Sequence, residues 1–180
     1  MEVKFCIKYI NLARKWNDNI MEYMSKEKFA EAEKIDKLIY KILKYIMYKK
    51  RTEEEVRQKF SEEDEIIVDE AIEYFKELKY IDDAEYINRI VKEFIVLKNL
   101  SIKEVVYKIS QKGVRKSLID DYICKNKEDM LEYEISSAKS IILKKQKDSE
   151  EQEIRNYLYR KGYMTESVNI AFDDINEQSR

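Results

Sequence analysis

The sequence of 180 residues contains no histidine and no proline, and it has only two glycines and two cysteines. Without histidine, neither a Ser-His-Asp nor a Cys-His catalytic site can form, and the commonest zinc ligand is missing. Two glycines cannot supply the glycine-rich loops that hold nucleotide phosphates, and two cysteines are too few for a disulfide framework. Because β-hairpins and tight turns need glycine and proline, the composition predicts an all-α fold.

Long apolar runs are absent as well. No stretch approaches the 18 uncharged apolar residues of a membrane-spanning helix, and the opening MEVKFCIKYINLARKW lacks the unbroken apolar core of a signal peptide. We therefore expect a cytoplasmic protein that does not bind membranes. With 35 basic and 37 acidic residues the net charge is −2, so bulk charge does not favour binding to bare DNA.

Apolar residues recur at helical spacing, and one pattern repeats at an interval of 49 residues. This interval separates Val56 from Val105 and Val105 from Ile154, and it also separates Gly113 from Gly162. A glutamate precedes each of the three β-branched residues. We expect the two glycines to end short helices in the left-handed conformation.

The repeat predicts tandem three-helix units, each with a long helix, a short helix and a third helix. The short helices are expected to open at Thr52, Ser101 and Ser149, and the first unit leaves the common register, which predicts an insertion near residues 61–65. Because such units cannot each close a large core, we expect them to stack into an elongated, curved array. The predicted parts are a short N-terminal helical extension (1–34) and three-helix repeats at 35–81, 82–127 and 128–180.

Asp82 and Asp83 fall at the predicted boundary between the first two repeats. Neighbouring carboxylates can hold a metal, take part in acid–base chemistry or begin a helix. With Asp82 as the N-cap, Glu85 becomes the third helical residue, which is close to a capping box. A metal site would need further carboxylates from elsewhere in the fold. We interpret Asp82 and Asp83 as a structural joint, and we predict no catalytic residue, metal ligand or cofactor.

Three segments resemble the RecX family of bacterial regulatory proteins, namely YKILKYIMYKKRTEEEVRQKF (40–60), ELKYIDDAEYINRIV (77–91) and IRNYLYRKGYMTESVNIAF (154–172). The shared features are an aromatic-rich helix with a basic corner, a Thr/Ser-x-x-Glu-hydrophobic helix and a Tyr-Ile-Asp-Asp joint. The resemblance covers roughly residues 36 to 177. The chain departs from it at Lys49-Lys50-Arg51, where the family usually has a proline, and in the helical, charged residues 1–34.

The resemblance implies a monomeric regulator without a catalytic site. Such a protein would bind the filament of the RecA recombinase along its groove and would contact DNA mainly within that filament. It would restrain ATP hydrolysis and strand exchange by RecA, and so regulate recombination, DNA repair and the SOS response. Two alternatives stay open, a helical-repeat adaptor for a different protein and an enzyme built on a carboxylate-bound metal.

Positive charge is concentrated at a few helix corners although the whole chain is nearly neutral. Residues 101–119 hold five basic side chains against Glu104 alone. Such blocks are either solvated helix faces or a ridge that meets phosphates or acidic surfaces of a partner. Nearby tyrosines, including Tyr157 and Tyr159, fit a core or rim position better than a base-stacking role. The candidate contact residues are Lys49, Lys50, Arg51, Lys108, Lys112, Arg115, Lys116, Arg160 and Lys161.

Overall fold

The structure is a computed structural model that describes residues 26–97 and 99–178. Within these residues every regular element is an α-helix, which confirms the predicted all-α fold. Residues 1–25 of the predicted extension lie outside the described residues, and its predicted end at residue 34 falls inside an uninterrupted helix. The helices are α1 (Lys26–Tyr48), α2 (Glu53–Lys59), α3 (Glu65–Glu77), α4 (Asp83–Leu97), α5 (Ile102–Ser110), α6 (Lys116–Lys125), α7 (Lys127–Lys145), α8 (Glu151–Lys161) and α9 (Thr165–Gln178).

The chain divides between Asp83 and Ala84 into two compact units. In the first unit, α1, α2 and α3 enclose one apolar cluster centred on Ile42, Ile72 and Phe75. The second unit contains two clusters, one formed by α4 to α6 with the start of α7, and one formed by α7 to α9. We refer to α1–α3, α4–α6 and α7–α9 as the first, second and third helix groups. No helix in the described ranges carries an apolar stretch of the length that a bilayer requires.

The 49-residue interval has a direct counterpart in packing. Val56, Val105 and Ile154 lie at matching positions of α2, α5 and α8, and their exposed fractions are 0%, 0% and 1%. Each side chain enters the apolar cluster of its own helix group. Full burial of such a side chain contributes about 1.5–3 kcal/mol. The interval therefore marks the residue through which each short helix is anchored in its cluster.

Two of the three short helices begin with a capping box. The Thr52 hydroxyl accepts from the Glu55 amide at 3.1 Å, while the Glu55 carboxylate accepts from the Thr52 amide at 3.3 Å. Ser101 and Glu104 make the same pair of bonds. In α8 the N-cap is Glu150, which makes no side-chain capping bond, so the prediction that Ser149 opens this helix is wrong.

The prediction of an insertion near residues 61–65 is also wrong. The N-caps of α2 and α3, Thr52 and Asp64, are 12 residues apart, whereas those of α5 and α6, Ser101 and Arg115, are 14 apart. The difference lies in the short helix, because α2 has seven residues and α5 has nine, while the connection that follows spans five residues in both groups. Asp64 accepts from two amides of the first turn of α3 and so caps that helix. The extra residues of the first group lie in α3, which has 13 residues against 10 in α6, and in the segment 78–82 that follows it.

Candidate functional site

Lys49 and Lys50, the first of the predicted contact residues, lie exposed in the turn that follows α1. Arg51 beside them is turned inward, with its guanidinium 4.5 Å from the centre of the Tyr45 ring and Nη1 3.8 Å from Glu55 Oε1. Its Nε atom is buried and has no hydrogen-bond acceptor in the described part of the chain. At this corner, therefore, Lys49 and Lys50 are exposed to solvent, whereas Arg51 packs against Tyr45.

Lys108, Lys112, Arg115 and Lys116 lie together at the turn between α5 and α6, and all four are exposed. Lys108 lies outside the buried face of α5, which carries Val105 and Ile109. Within residues 26–97 and 99–178, Lys108, Arg115 and Lys116 form no ion pair. Gly113 allows the turn its left-handed backbone, with φ of 74°. This turn presents the densest group of solvated cations among the predicted contact residues.

Arg160 and Lys161, at the end of α8, have different surroundings. Arg160 is exposed, whereas Lys161 Nζ donates to Glu104 Oε1 at 2.9 Å and its carbonyl accepts from the Ser101 hydroxyl at 2.7 Å. The hydrogen bond and charge of Glu104 raise the pKa of Lys161 above its ordinary value. Gly162 follows in the left-handed conformation, as predicted, and caps α8. Lys161 therefore joins the third helix group to the second.

Asp82 and Asp83 lie where the sequence pattern placed them, directly before α4 and at its first residue. Asp82 Oδ2 is 3.4 Å from Lys79 Nζ, and Asp83 Oδ1 accepts from the Glu53 amide at 3.0 Å. Asp83 thereby ties the end of the first unit to the first residue of α2. Within the described residues, no three acidic or cysteine side chains come together as metal ligands. The assignment of Asp82 as the N-cap of α4 stays a prediction. The structural role predicted for Asp83 is supported by its contact with the Glu53 amide.

Glu134, which the sequence pattern did not single out, is fully buried in α7. Its Oε1 accepts from the Ile102 amide at 2.8 Å, and its Oε2 accepts from the Met164 amide at 3.1 Å and the Ser167 hydroxyl at 2.7 Å. One carboxylate thus binds the beginnings of α5 and α9. The burial of Glu134 could have been predicted from the sequence, because Met130, Glu134 and Ala138 lie four residues apart on one face of α7.

Hydroxyl groups extend this buried polar cluster. The hydroxyls of Tyr163 and Ser137 are 2.6 Å apart, Ser137 donates to the Leu100 carbonyl at 3.4 Å, and the Leu100 amide donates to the Tyr133 hydroxyl at 3.1 Å. Burial raises the pKa of Tyr163 well above its ordinary value, against the opposing effect of its bond to Ser137. The second and third helix groups therefore meet through a bonded polar interface inside an apolar surround.

Comparison with known proteins gives a consistent result. The chain is 31% identical over 146 residues to regulatory protein RecX of Clostridium beijerinckii, a match that covers 76% of this chain and 67% of that protein. It is 28% identical over 138 residues to regulatory protein RecX of Staphylococcus carnosus, covering 74% of this chain and 52% of that one. The chain thus spans between half and two thirds of these relatives' length. No family model matches it.

Two solved structures share the fold. A crystal structure of regulatory protein RecX superposes with a TM-score of 0.70 at 23% identity, covering 83% of this chain and 80% of that one. RecX from Lactobacillus salivarius superposes with a TM-score of 0.69 at 22% identity, covering 81% of this chain and 98% of the other. The helical fold is therefore one that solved proteins already show.

Proposed function

This chain belongs to the RecX family of regulatory proteins, and from that premise we propose that it binds the RecA–DNA filament along its groove and restrains ATP hydrolysis and strand exchange by RecA. It would act in the cytoplasm as a monomer and so limit homologous recombination during DNA repair and the SOS response. The family match supports the regulatory role. The partner and the direction of the effect follow from the resemblance described above, and they are what the experiment has to test.

The observation that carries the proposal is the group of solvated cations at the α5–α6 turn. Lys108, Arg115 and Lys116 are exposed and unpaired within the described residues, in a protein whose net charge is −2. A local cluster of this kind attracts phosphates or acidic side chains, while the near-neutral whole keeps affinity for bare DNA low. This combination suits a partner that offers protein and DNA surfaces together.

The chemistry of the chain supports a regulator that has no catalytic centre of its own. Histidine is absent from the sequence, and its two glycines form no phosphate-binding loop. A protein without a nucleotide site changes the ATPase rate of a partner only by binding one state of that partner more tightly than another. We therefore expect the protein to prefer one conformation of the RecA filament.

The test is a dose–response measurement of RecA ATPase activity on single-stranded DNA with the cognate recombinase. The wild-type chain should slow hydrolysis at substoichiometric or stoichiometric amounts. A triple reversal of Lys108, Arg115 and Lys116 to Glu should raise the concentration needed for half-inhibition at least about tenfold, because attraction is replaced by repulsion. Helical content should stay unchanged, since exposed substitutions shift stability by only about 0.5 kcal/mol each.

A matched control separates a specific contact from total charge. Reversal of three exposed lysines outside the predicted ridge, Lys44, Lys59 and Lys92, produces the same net charge of −8 from the original −2. This control should inhibit RecA like the wild type. Equal loss of inhibition in both triple variants would show that net charge, and not a specific contact, causes the effect. No inhibition by the wild-type chain would leave the alternative, an adaptor for a different protein.

A further inference from the structure

An open cleft of about 670 Å³ lies between the end of α7 and one face of α8 in the second unit. Glu153, Asn156, Tyr157 and Arg160 line it at spacings of three, four and seven residues, which places them on a single helical face. Lys145, the last residue of α7, also lines the cleft. The remaining lining residues are Ser149, Ile154 and Tyr159.

On the corresponding face of α5, Tyr107, Lys108 and Gln111 are exposed as well, whereas Glu104 is contacted by a neighbouring helix group. Glu104 and Glu153 are 49 residues apart, and Glu104 accepts the ion pair from Lys161 at 2.9 Å. In the third helix group the matching Glu153, together with Asn156 and Arg160, is exposed. The glutamate that pairs with a neighbouring helix group in α5 thus has an exposed counterpart in α8.

The side chains of this open face also differ from those of α5. Arg160 stands where α5 has Gln111, and Lys145 stands where the second group has Val96. Lys145 Nζ lies 4.2 Å from the centre of the Tyr157 ring, so a cation–π contact holds the ammonium at the wall of the cleft. Arg160 forms no ion pair with the described residues. The two tyrosines of the lining, Tyr157 and Tyr159, likewise stand where the second group has Lys108 and Ser110.

The composition of the cleft identifies the class of ligand. Its lining holds two cations, Lys145 and Arg160, against the single carboxylate of Glu153, an excess of positive charge within a chain of net charge −2. Tyr159 is 38% exposed and offers an aromatic side chain to the cleft. Glu153 disfavours a ligand that is anionic throughout, but it can accept hydrogen bonds from base edges, as can Asn156. A duplex hides its bases, whereas a single strand presents phosphates and base faces together.

We propose that this cleft binds single-stranded DNA, with Lys145 and Arg160 on phosphates and a base stacked on Tyr159. Tyr157 is a positioning residue that holds the Lys145 ammonium. The inference rests on the proposed function only in that the DNA strand of a RecA filament is the strand the cleft would meet. It assigns a base-stacking role to a tyrosine that sequence reasoning placed at the core rim.

The direct test is a fluorescence-anisotropy titration of the full chain, without RecA, against a labelled oligothymidylate of about 15 nucleotides. Tyr159→Leu should weaken binding about tenfold because stacking is lost, whereas Tyr159→Phe should retain it. The double variant Lys145→Gln and Arg160→Gln should lower the slope of log affinity against log salt by about 1.4, or about 0.7 for each lost phosphate contact. Lys44→Gln with Lys59→Gln removes the same charge from exposed positions elsewhere and should change neither quantity.

Three outcomes would overturn the inference. They are an absence of oligothymidylate binding at low salt, equal affinities of Tyr159→Leu and Tyr159→Phe, and displacement of the oligonucleotide by an equal concentration of polyglutamate, which would indicate an acidic protein partner. Because RecA is absent, these outcomes do not bear on inhibition of the filament. Failure of the ATPase test with intact oligonucleotide binding would instead leave the cleft as a DNA site and remove the proposed function.

Discussion

The first residues of α2 and α5 are 49 positions apart, and a carboxylate binds each amide in very different surroundings. Asp83 accepts from the Glu53 amide at 3.0 Å. The Glu53 side chain belongs to a partly exposed ionic network, and Arg57 in that network also binds Asp69. Glu134 accepts from the Ile102 amide at 2.8 Å from a fully buried position. The amide at the same helix position thus binds a half-buried carboxylate in one unit and a fully buried carboxylate in the other.

The two arrangements have different energetic consequences. Exposed ion pairs contribute about 0–1 kcal/mol each and weaken as salt screens them. A buried carboxylate with all its donors in place adds little net stability, but its removal leaves those donors without partners. Glu134 therefore specifies one arrangement of the second and third helix groups, whereas the ionic network of the first unit tolerates change. The following predictions test this contrast.

The largest effect is expected from Glu134→Ala. It leaves the Ile102 amide, the Met164 amide and the Ser167 hydroxyl unsatisfied, so we expect a loss of about 3 kcal/mol in urea unfolding. Glu134→Gln keeps the shape and one carbonyl acceptor and should lose less. Glu132→Ala, on the exposed side of the same helix, should change stability by under about 0.5 kcal/mol. Similar losses for Glu132→Ala and Glu134→Ala would contradict the buried-joint interpretation.

A second, smaller effect is expected where α8 meets α5. Gly162 has φ of 87°, and an added Cβ would lie 2.9 Å from Cδ and 3.1 Å from Cβ of Lys103. Gly162→Ala should therefore cost about 1–2 kcal/mol in thermal unfolding, from the left-handed backbone and the close contact. Adding Lys103→Ala to this variant should restore only the part of the lost stability that the contact with Lys103 Cδ causes. Complete restoration of stability in the double variant would show that the left-handed backbone at residue 162 does not destabilise an alanine there.

Part of this contrast was predictable from the sequence and part was not. Helical spacing and the 49-residue interval gave the all-α fold and the buried positions of Val56, Val105 and Ile154, because these depend on local pattern. The inward turns of Arg51 and Lys161 depend on Tyr45 and on Glu104, contacts that only the folded chain brings together. A prediction from charge alone therefore overestimated how many of the nine candidate contact residues are fully exposed to solvent.

The hydroxyl side of the buried cluster should respond to alkali. Burial raises the pKa of Tyr163, so its neutral form is favoured in the folded state. The corresponding stability is complete below the ordinary tyrosine pKa of 10.0 and is lost as the pH rises above it. Tyr163→Phe should cost about 1 kcal/mol at neutral pH and reduce the alkaline loss. Tyr107 is 63% exposed, so Tyr107→Phe should leave the alkaline loss of stability unchanged. If Tyr107→Phe reduced that loss as much as Tyr163→Phe, the assignment of the loss to Tyr163 would be wrong.

The ionic network of the first unit should give the smallest effect and respond to acid. Burial alone would raise the pKa of Glu53, but hydrogen bonds and charges of Arg57 and Lys76 outweigh it and hold the pKa below its ordinary value of 4.5. The stability that this shift contributes is therefore present above about pH 4.5 and is lost as the pH falls further. Arg57→Ala should cost under about 1 kcal/mol at neutral pH, with the cost shrinking in high salt.

The measurement that decides the comparison is hydrogen exchange at the Glu53 and Ile102 amides across salt and pH. In Arg57→Ala, protection of the Glu53 amide should fall slightly and depend less on salt, because only the ion pair with Lys76 remains on Glu53, and its loss in acid should be smaller than in the wild type. Protection of the Ile102 amide should be unchanged, because its acceptor Glu134 lies in the buried cluster. If salt affected the Ile102 amide more than the Glu53 amide, the assignment of one network to the surface and the other to the interior would be reversed.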